Sequence, residues 1–130
     1  MDPSYQSYKH SVMEKTKTYK LEGKDYRVYP VTAPWGKVEL IFKEESYLDG
    51  TLAVMAVEVG GEYPEDYAVV TVNLCDLRQD GERAFFDGNN SGYMFRQLCD
   101  FGLVKPLREY AASGFCRYQL CEWDKSKFLS

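Results

Sequence analysis

The sequence predicts an α+β domain, with a mainly antiparallel sheet of about five to seven strands and one main packed helix over about residues 91–101. Three observations predict it. Apolar runs of strand length recur between Gly, Pro, Asn and Asp turn signals, with clear period-two alternation from Tyr67 to Leu74. One stretch alone reads convincingly as a helix: after a capping signal at Asn90 or Ser91, Met94, Leu98 and Phe101 form an apolar stripe at i, i+4 and i+7. Seven Phe, two Trp and eleven Tyr in 130 residues supply the area that one core needs and a solvated tail lacks.

Residues 1–17 read as a mobile or weakly structured N-terminal segment ahead of a single domain over 18–130. Within that segment Tyr5, Tyr8 and Val12 fall at helical spacing, which admits a short amphipathic helix. A frayed leader fits the same polar composition. Tyr19-Lys20-Leu21 and Tyr26-Arg27-Val28-Tyr29 flank the polar Glu22-Gly23-Lys24-Asp25, which reads as a hairpin turn. Pro30 and Pro34 then hold the chain extended or looping through Trp35 and Gly36. Val38 to Phe42 is a strand that the charged Lys43-Glu44-Glu45 is expected to end. Asp49-Gly50 turns the chain into Thr51 to Val59, which is apolar on both alternating sets until Glu58 and so reads as a strand covered on two sides.

Gly60-Gly61 and Pro64 mark the next connection, with Glu65 and Asp66 in an exposed turn. Tyr67 to Leu74 is a half-buried strand, with Ala68, Val70, Val72 and Leu74 on one face and Val69, Thr71 and Asn73 on the other. Asp80-Gly81 precedes the short strand Arg83 to Asp87. The helix follows, capped by Asn90 or Ser91 and ended by Gly102 in a left-handed conformation, with Leu103 folding back and Pro106 preventing continuation. Leu107 to Tyr110 and Phe115 to Trp123 are the last strands, broken at Ser113-Gly114. No apolar run approaches the roughly 20 residues of a spanning helix. No charged-then-apolar leader opens the chain, so a cytoplasmic protein is expected.

The formal net charge of −4 hides an uneven distribution. Residues 1–37 carry seven bases and four acids, residues 38–87 three bases and twelve acids, and residues 88–130 six bases and four acids. A middle segment of net −9 disfavours a phosphate-binding surface there and suits a partner protein with a basic surface. The same charge on a solvated face serves solubility. Glu44, Glu45, Asp49, Glu62, Glu65 and Asp66 are the candidate partner contacts, acting as anionic groups from loops. A rival reading takes the basic first segment, with Tyr19, Tyr26, Tyr29, Lys20 and Arg27, as a nucleic-acid-binding module that stacks bases.

Nothing points to an enzyme. His10, the only histidine, sits in the N-terminal segment, the weakest-folding part of the chain, which disfavours a positioned Cys–His or Ser–His pair. Cys75, Cys99, Cys116 and Cys121 form no CxxC pair, so no metal site is expected, and they read as reduced thiols acting mostly as small buried hydrophobes. The glycine-containing stretches lack the strand–glycine–helix context of a phosphate cradle, so no cofactor is expected. Two features are more specific. Phe86-Asp87-Gly88-Asn89-Asn90 reads as a strand-to-helix corner with an Asx cap, or as a polar contact at the helix start. Ala112-Ser113-Gly114-Phe115 with Tyr118 and Leu120 reads as a bulge at a sheet edge, or as an aromatic edge that docks on a partner.

From Tyr67 onward the chain resembles a family of small bacterial proteins defined only as a domain of unknown function and carried on conjugative elements and prophages of gut bacteria. The residues that carry the resemblance are Tyr67 to Leu74, Ala84-Phe85-Phe86-Asp87 with Asn89-Asn90, Phe101-Gly102-Leu103, and Ser113-Gly114-Phe115 with Tyr118 and Leu120. Gly88, inserted before the paired asparagines, and Gln119, in place of proline, depart from the pattern. The resemblance implies accessory cargo of mobile elements. In size and style the chain is similar to type II anti-CRISPR proteins, which implies an inhibitor of an RNA-guided nuclease of host defence. A shared fold does not by itself carry an activity.

Overall fold

The computed structural model describes residues 17–130. The helical spacing of Tyr5, Tyr8 and Val12 lies outside the described residues. Strands β1 (Thr18–Leu21) and β2 (Lys24–Arg27) form a two-stranded hairpin, and β3 (Tyr29–Ala33), β4 (Gly36–Ser46), β5 (Leu52–Glu58) and β6 (Glu65–Val69) form an antiparallel sheet in chain order. β7 (Thr71–Val72), β8 (Arg83–Phe86), β9 (Val104–Ser113) and β10 (Cys116–Trp123) form a second antiparallel sheet in the order β7-β8-β10-β9. Between β8 and β9 run α1 (Gly88–Ser91), a 3₁₀ turn (Gly92–Met94) and α2 (Phe95–Asp100).

The α+β expectation is therefore corrected. Ten strands in three sheets hold 54% of the described residues and helices 14%, so the fold is essentially all-β. The expected helix over 91–101 is a broken series of short turns. Gly88, Asn89, Asn90, Ser91 and Gly92 are all poor helix formers, so the chain tightens to 3₁₀ geometry before α2 begins. Asp87, not Asn90 or Ser91, is the cap: its carboxylate accepts from the Asn90 N–H at 3.1 Å. The expected terminator holds. Gly102 sits at φ +81, its N–H donates to Cys99 and that of Leu103 to Leu98, each at 3.0 Å, which closes a Schellman cap.

The core lies between the two four-stranded sheets. Val31, Leu40, Phe42, Val54 and Ala56 of the first face Ala84, Phe86, Cys121 and Trp123 of the second, and Met94 and Leu98 plug one side. The first sheet also buries its other face. Ile41, Val57 and Val59 pack there against Tyr26 and Val28, with Tyr19 and Leu21 of the hairpin. Both alternating sets of β5 are thus covered, as its continuous apolar run implies. The hairpin turn is tighter than expected: Glu22 and Gly23 alone make it, at φ 52 and 80, a type I′ pattern, while Lys24 and Asp25 belong to β2.

β6 and β7 are one extended segment that changes sheets at Val70. The Val70 N–H donates to the Val54 carbonyl at 2.9 Å, and its carbonyl accepts from the Asp87 N–H at 2.8 Å, so the residue ties both sheets together. Alternation fails there because Val70 and Thr71 are both buried. Gln119 and Cys121 flank a register shift in β10. The cysteines are all free; Cys121 is buried, its thiol pushed up to about 12 by that burial, while Cys75 is exposed and Cys99 and Cys116 are intermediate. Only Cys121 fits the expected role of buried hydrophobe.

The loop from Asn73 to Asp80 folds over the outer face of the second sheet, where Arg78 lies 5.6 Å from the Phe85 ring centre. Arg78 also grips Asp76 through two 2.8 Å hydrogen bonds, which hold the Asp76 carboxyl down at about 2. Because the folded-state value lies below the ordinary carboxylate value of roughly 3.9, this contribution is complete above about pH 4 and is lost as pH falls towards 2. Asp76→Asn should therefore flatten the acid limb of a thermal-melting profile between about pH 4 and pH 2 and leave its shape above that window unchanged. An unaltered acid limb would show that the grip contributes nothing to folding.

Candidate functional site

The six carboxylates expected to meet a partner divide into two groups at opposite ends of the first sheet. Glu44 and Glu45 pair with Val54 and Ala53, and Asp49 occupies the β4–β5 turn. Glu65 and Asp66 pair with Glu58 and Val57 at the far end of β5, with Glu62 in the loop before them. Along β5 the strand-borne members of the two groups stand three to five residue positions apart, about 10–17 Å. Four of the six, Glu44, Glu45, Glu65 and Asp66, lie on strands, which corrects their expected place in loops. The correction has a simple cause: β4 continues through Lys43, Glu44 and Glu45 because β5 supplies cross-strand partners as far as Ser46.

The two groups differ electrostatically. Glu44 takes the Lys125 ammonium at 2.8 Å, and Lys43 lies 2.9 Å from Glu22 and 3.7 Å from Glu45. Asp49 is committed to its own turn, accepting from the Thr51 hydroxyl at 2.6 Å, the Thr51 N–H at 3.0 Å and Asn73 at 3.2 Å; the Thr51 hydroxyl bond is the main cause of its lowered pKa. At the other end, no cation among the described residues forms an ion pair with Glu58, Glu62, Glu65 or Asp66. Glu58 and Glu65 stand directly opposite each other on adjacent strands. Like charges so placed destabilise a sheet.

Beside this acidic end lies a groove of about 420 Å³, lined by Trp35, Tyr67, Val69, Asp87, Asn90 and Tyr93 among others. Trp35 occupies the two-residue Pro34-Trp35 turn between β3 and β4 and is 68% exposed. Tyr67 is the extra residue of a β-bulge, since Ala68 pairs with Ala56 and Asp66 with Val57. A bulge re-aims a side chain, and here Tyr67 packs against the main core. The Trp35 ring centre lies 6.4 Å from that of Tyr67 and 5.4 Å from that of Tyr93, the latter edge-on. The Tyr67 and Tyr93 hydroxyls share a hydrogen bond of 2.6 Å, and burial is the main cause raising the Tyr93 pKa.

Two devices fix the groove's walls. Gln97 of α2 accepts from the Thr32 N–H at 2.8 Å and donates to the Thr32 carbonyl at 2.9 Å, binding the helical segment to the edge of β3. With Pro30 on the same edge lacking an N–H, β3 is closed to further strands. Asp87, 6% exposed, accepts from both the backbone and the side-chain amide of Asn90. In contrast, no strand among the described residues pairs with the outer edge of β6.

Sequence reasoning did not single out Trp35, Tyr67 or Tyr93. Each follows a turn or capping signal by one to three residues (Pro34, Pro64, Asn90), and that recurrence was the available hint. Of the tyrosines of the stacking reading, Tyr26 and Tyr29 are buried core residues and Tyr19 is half-buried, and Lys20 lies 3.3 Å from Asp25.

The fold and site define a small β-scaffold with an open strand edge, an anionic end and an aromatic groove, and among the described residues no helix is long and apolar enough to cross a membrane. The chain belongs to the family described as a domain of unknown function, DUF4313, which matches residues 42–130. Tyr67, Asp87 and Tyr93 lie inside the matched stretch, and Trp35 lies before it. No curated protein and no solved structure gives a match.

Proposed function

We propose that this protein is a non-enzymatic binding protein that acts by covering a basic surface of a partner protein with the acidic end formed by Glu58, Glu62, Glu65 and Asp66. The observation that carries the reading is the Glu58–Glu65 pair: two carboxylates face each other across adjacent strands, with no cation of the described residues paired to either. A partner's cations relieve that repulsion on binding, so electrostatic free energy stored in the fold favours the complex. The resemblance to mobile-element cargo makes an RNA-guided nuclease of bacterial immunity the partner to test first, with inhibition by occupation of its cationic groove and no cofactor required.

The test is capture of proteins from the cytoplasm of a CRISPR-bearing bacterium, followed by affinity measurement with the purified nuclease. Reversing Glu62, Glu65 and Asp66 to lysine should weaken binding at least 100-fold, as loss of three favourable charge contacts at one interface implies. Reversing Glu44 and Glu45 at the opposite end should leave binding within about threefold, since that end is already matched by Lys125 and Lys43. Glu65→Lys alone should weaken the complex while stabilising the free protein by about 0.5 kcal/mol, through a new cross-strand pair with Glu58. Undiminished binding by the triple variant would overturn the acidic-end reading.

A further inference from the structure

We propose that the groove between Trp35, Tyr67 and Tyr93 is a receptor for an arginine side chain of the partner protein. The inference rests on the reading of a basic partner above and names the group that enters this site. The lining combines aromatic faces with one carboxylate. No lysine or arginine lines the groove among the described residues, so a cation entering it meets no like charge. An anion would meet the Asp87 carboxylate and the electron-rich ring faces, and is disfavoured on both counts. A purely apolar occupant would desolvate that carboxylate without compensating it.

A guanidinium fits each part of the lining. Trp35, 68% exposed, offers an indole surface to solvent at the groove's rim. A planar, weakly hydrated guanidinium stacks on such a surface better than a compact ammonium does. Each Asp87 carboxylate oxygen accepts one hydrogen bond from Asn90, and a carboxylate has about four acceptor positions, so capacity remains for a forked donor. Glu65 and Asp66 immediately precede Tyr67 on β6 and raise the local concentration of cationic segments. The walls are preset by the Gln97–Thr32 bonds and the Tyr67–Tyr93 hydroxyl bond, so little ordering is needed on binding.

The experiment is a nuclear magnetic resonance titration of the full chain with the amide of Gly-Gly-Arg-Gly and with its citrulline analogue, which keeps the shape and loses the charge. The Trp35 indole N–H and the Asn90 amides should shift saturably with the arginine peptide, while the indole N–H of buried Trp123 stays in place. The citrulline peptide should bind at least tenfold more weakly. Asp87→Asn, which retains an oxygen for the helix cap, should weaken arginine binding by about tenfold. Absence of shifts at Trp35 and Asn90, or equal shifts with citrulline, would overturn the assignment. The two readings fail separately. If the peptide does not bind but the Glu62/Glu65/Asp66 reversal still abolishes partner capture, only the groove assignment falls. If the peptide binds and that reversal leaves capture intact, the acidic-end mechanism falls.

Discussion

Replacing Phe42 by alanine should lower the unfolding free energy by about 3–5 kcal/mol, the largest effect expected of any single side-chain truncation here. Phe42 is fully buried on β4, at the centre of the inter-sheet core. Its ring centre lies 5.9 Å from that of Tyr29 and 6.4 Å from that of Phe128, so truncation opens a cavity that removes two aromatic contacts at once. Tyr29 cannot follow inward freely, because its hydroxyl donates to the Lys127 carbonyl. A drop of roughly 15 °C in melting temperature is expected for a domain of this size. Phe115→Ala, at the fully exposed tip of the β9–β10 hairpin, is the control and should change stability by no more than about 0.5 kcal/mol. Equal losses in the two variants would mean that the core is not where the sheets meet.

The second large effect concerns the residue that joins the sheets. Val70→Pro removes the N–H that satisfies the Val54 carbonyl, in a segment where both flanking strands are already short. The expected cost is about 3 kcal/mol or more, from a buried carbonyl left without its donor and from the change of backbone at the crossing. Hydrogen exchange localises the damage: the Asp87 amide, which donates to the Val70 carbonyl, should lose protection by at least tenfold relative to amides of β4. Val70→Ala keeps both backbone bonds and should leave that ratio unchanged while costing stability through lost packing alone. Equal protection of Asp87 in both variants would show that the sheets are held together elsewhere.

Both predictions use features that the sequence exposed unequally. The two-sided apolar character of Thr51 to Val59 announced a strand covered on both faces, and β5 is that strand. Gly102 and Leu103 announced a left-handed helix end, and the backbone closes there as a Schellman cap. These features are local. They depend on side-chain alternation and on φ values open to a single residue type, both written in a few consecutive positions. The helix expectation failed for a related reason. Met94, Leu98 and Phe101 have helical spacing, but the five poor helix formers before α2 leave too little regular helix to form a layer, and a second sheet takes its place.

The candidate site was less legible. Composition marked residues 38–87 as acidic, and the six candidate carboxylates among them are exposed, but which of them act together is a matter of strand register. Antiparallel pairing carries Glu44 and Glu45 to one end of β5 and Glu65 to the other, and it sets Glu58 against Glu65 although six residues lie between them in the chain. No windowed charge count contains that information. The groove is further removed from the sequence, since Trp35, Tyr67 and Tyr93 meet only after a bulge turns Tyr67 inward and Gln97 fastens the helical segment to β3.

The sequence by itself determined a strand-rich chain, the strand covered on both faces, the helix terminator and the sign of the charge on its middle third. Each follows from short-range sterics, side-chain alternation or simple counting. That the helical segment is broken was decided by the structure. The tertiary structure alone decided that the core lies between two sheets, that one extended segment crosses from one sheet to the other at Val70, and that three aromatic residues from separate elements form one wall. Those outcomes depend on contacts between distant positions, whose geometry is fixed only when all the apolar faces are buried together.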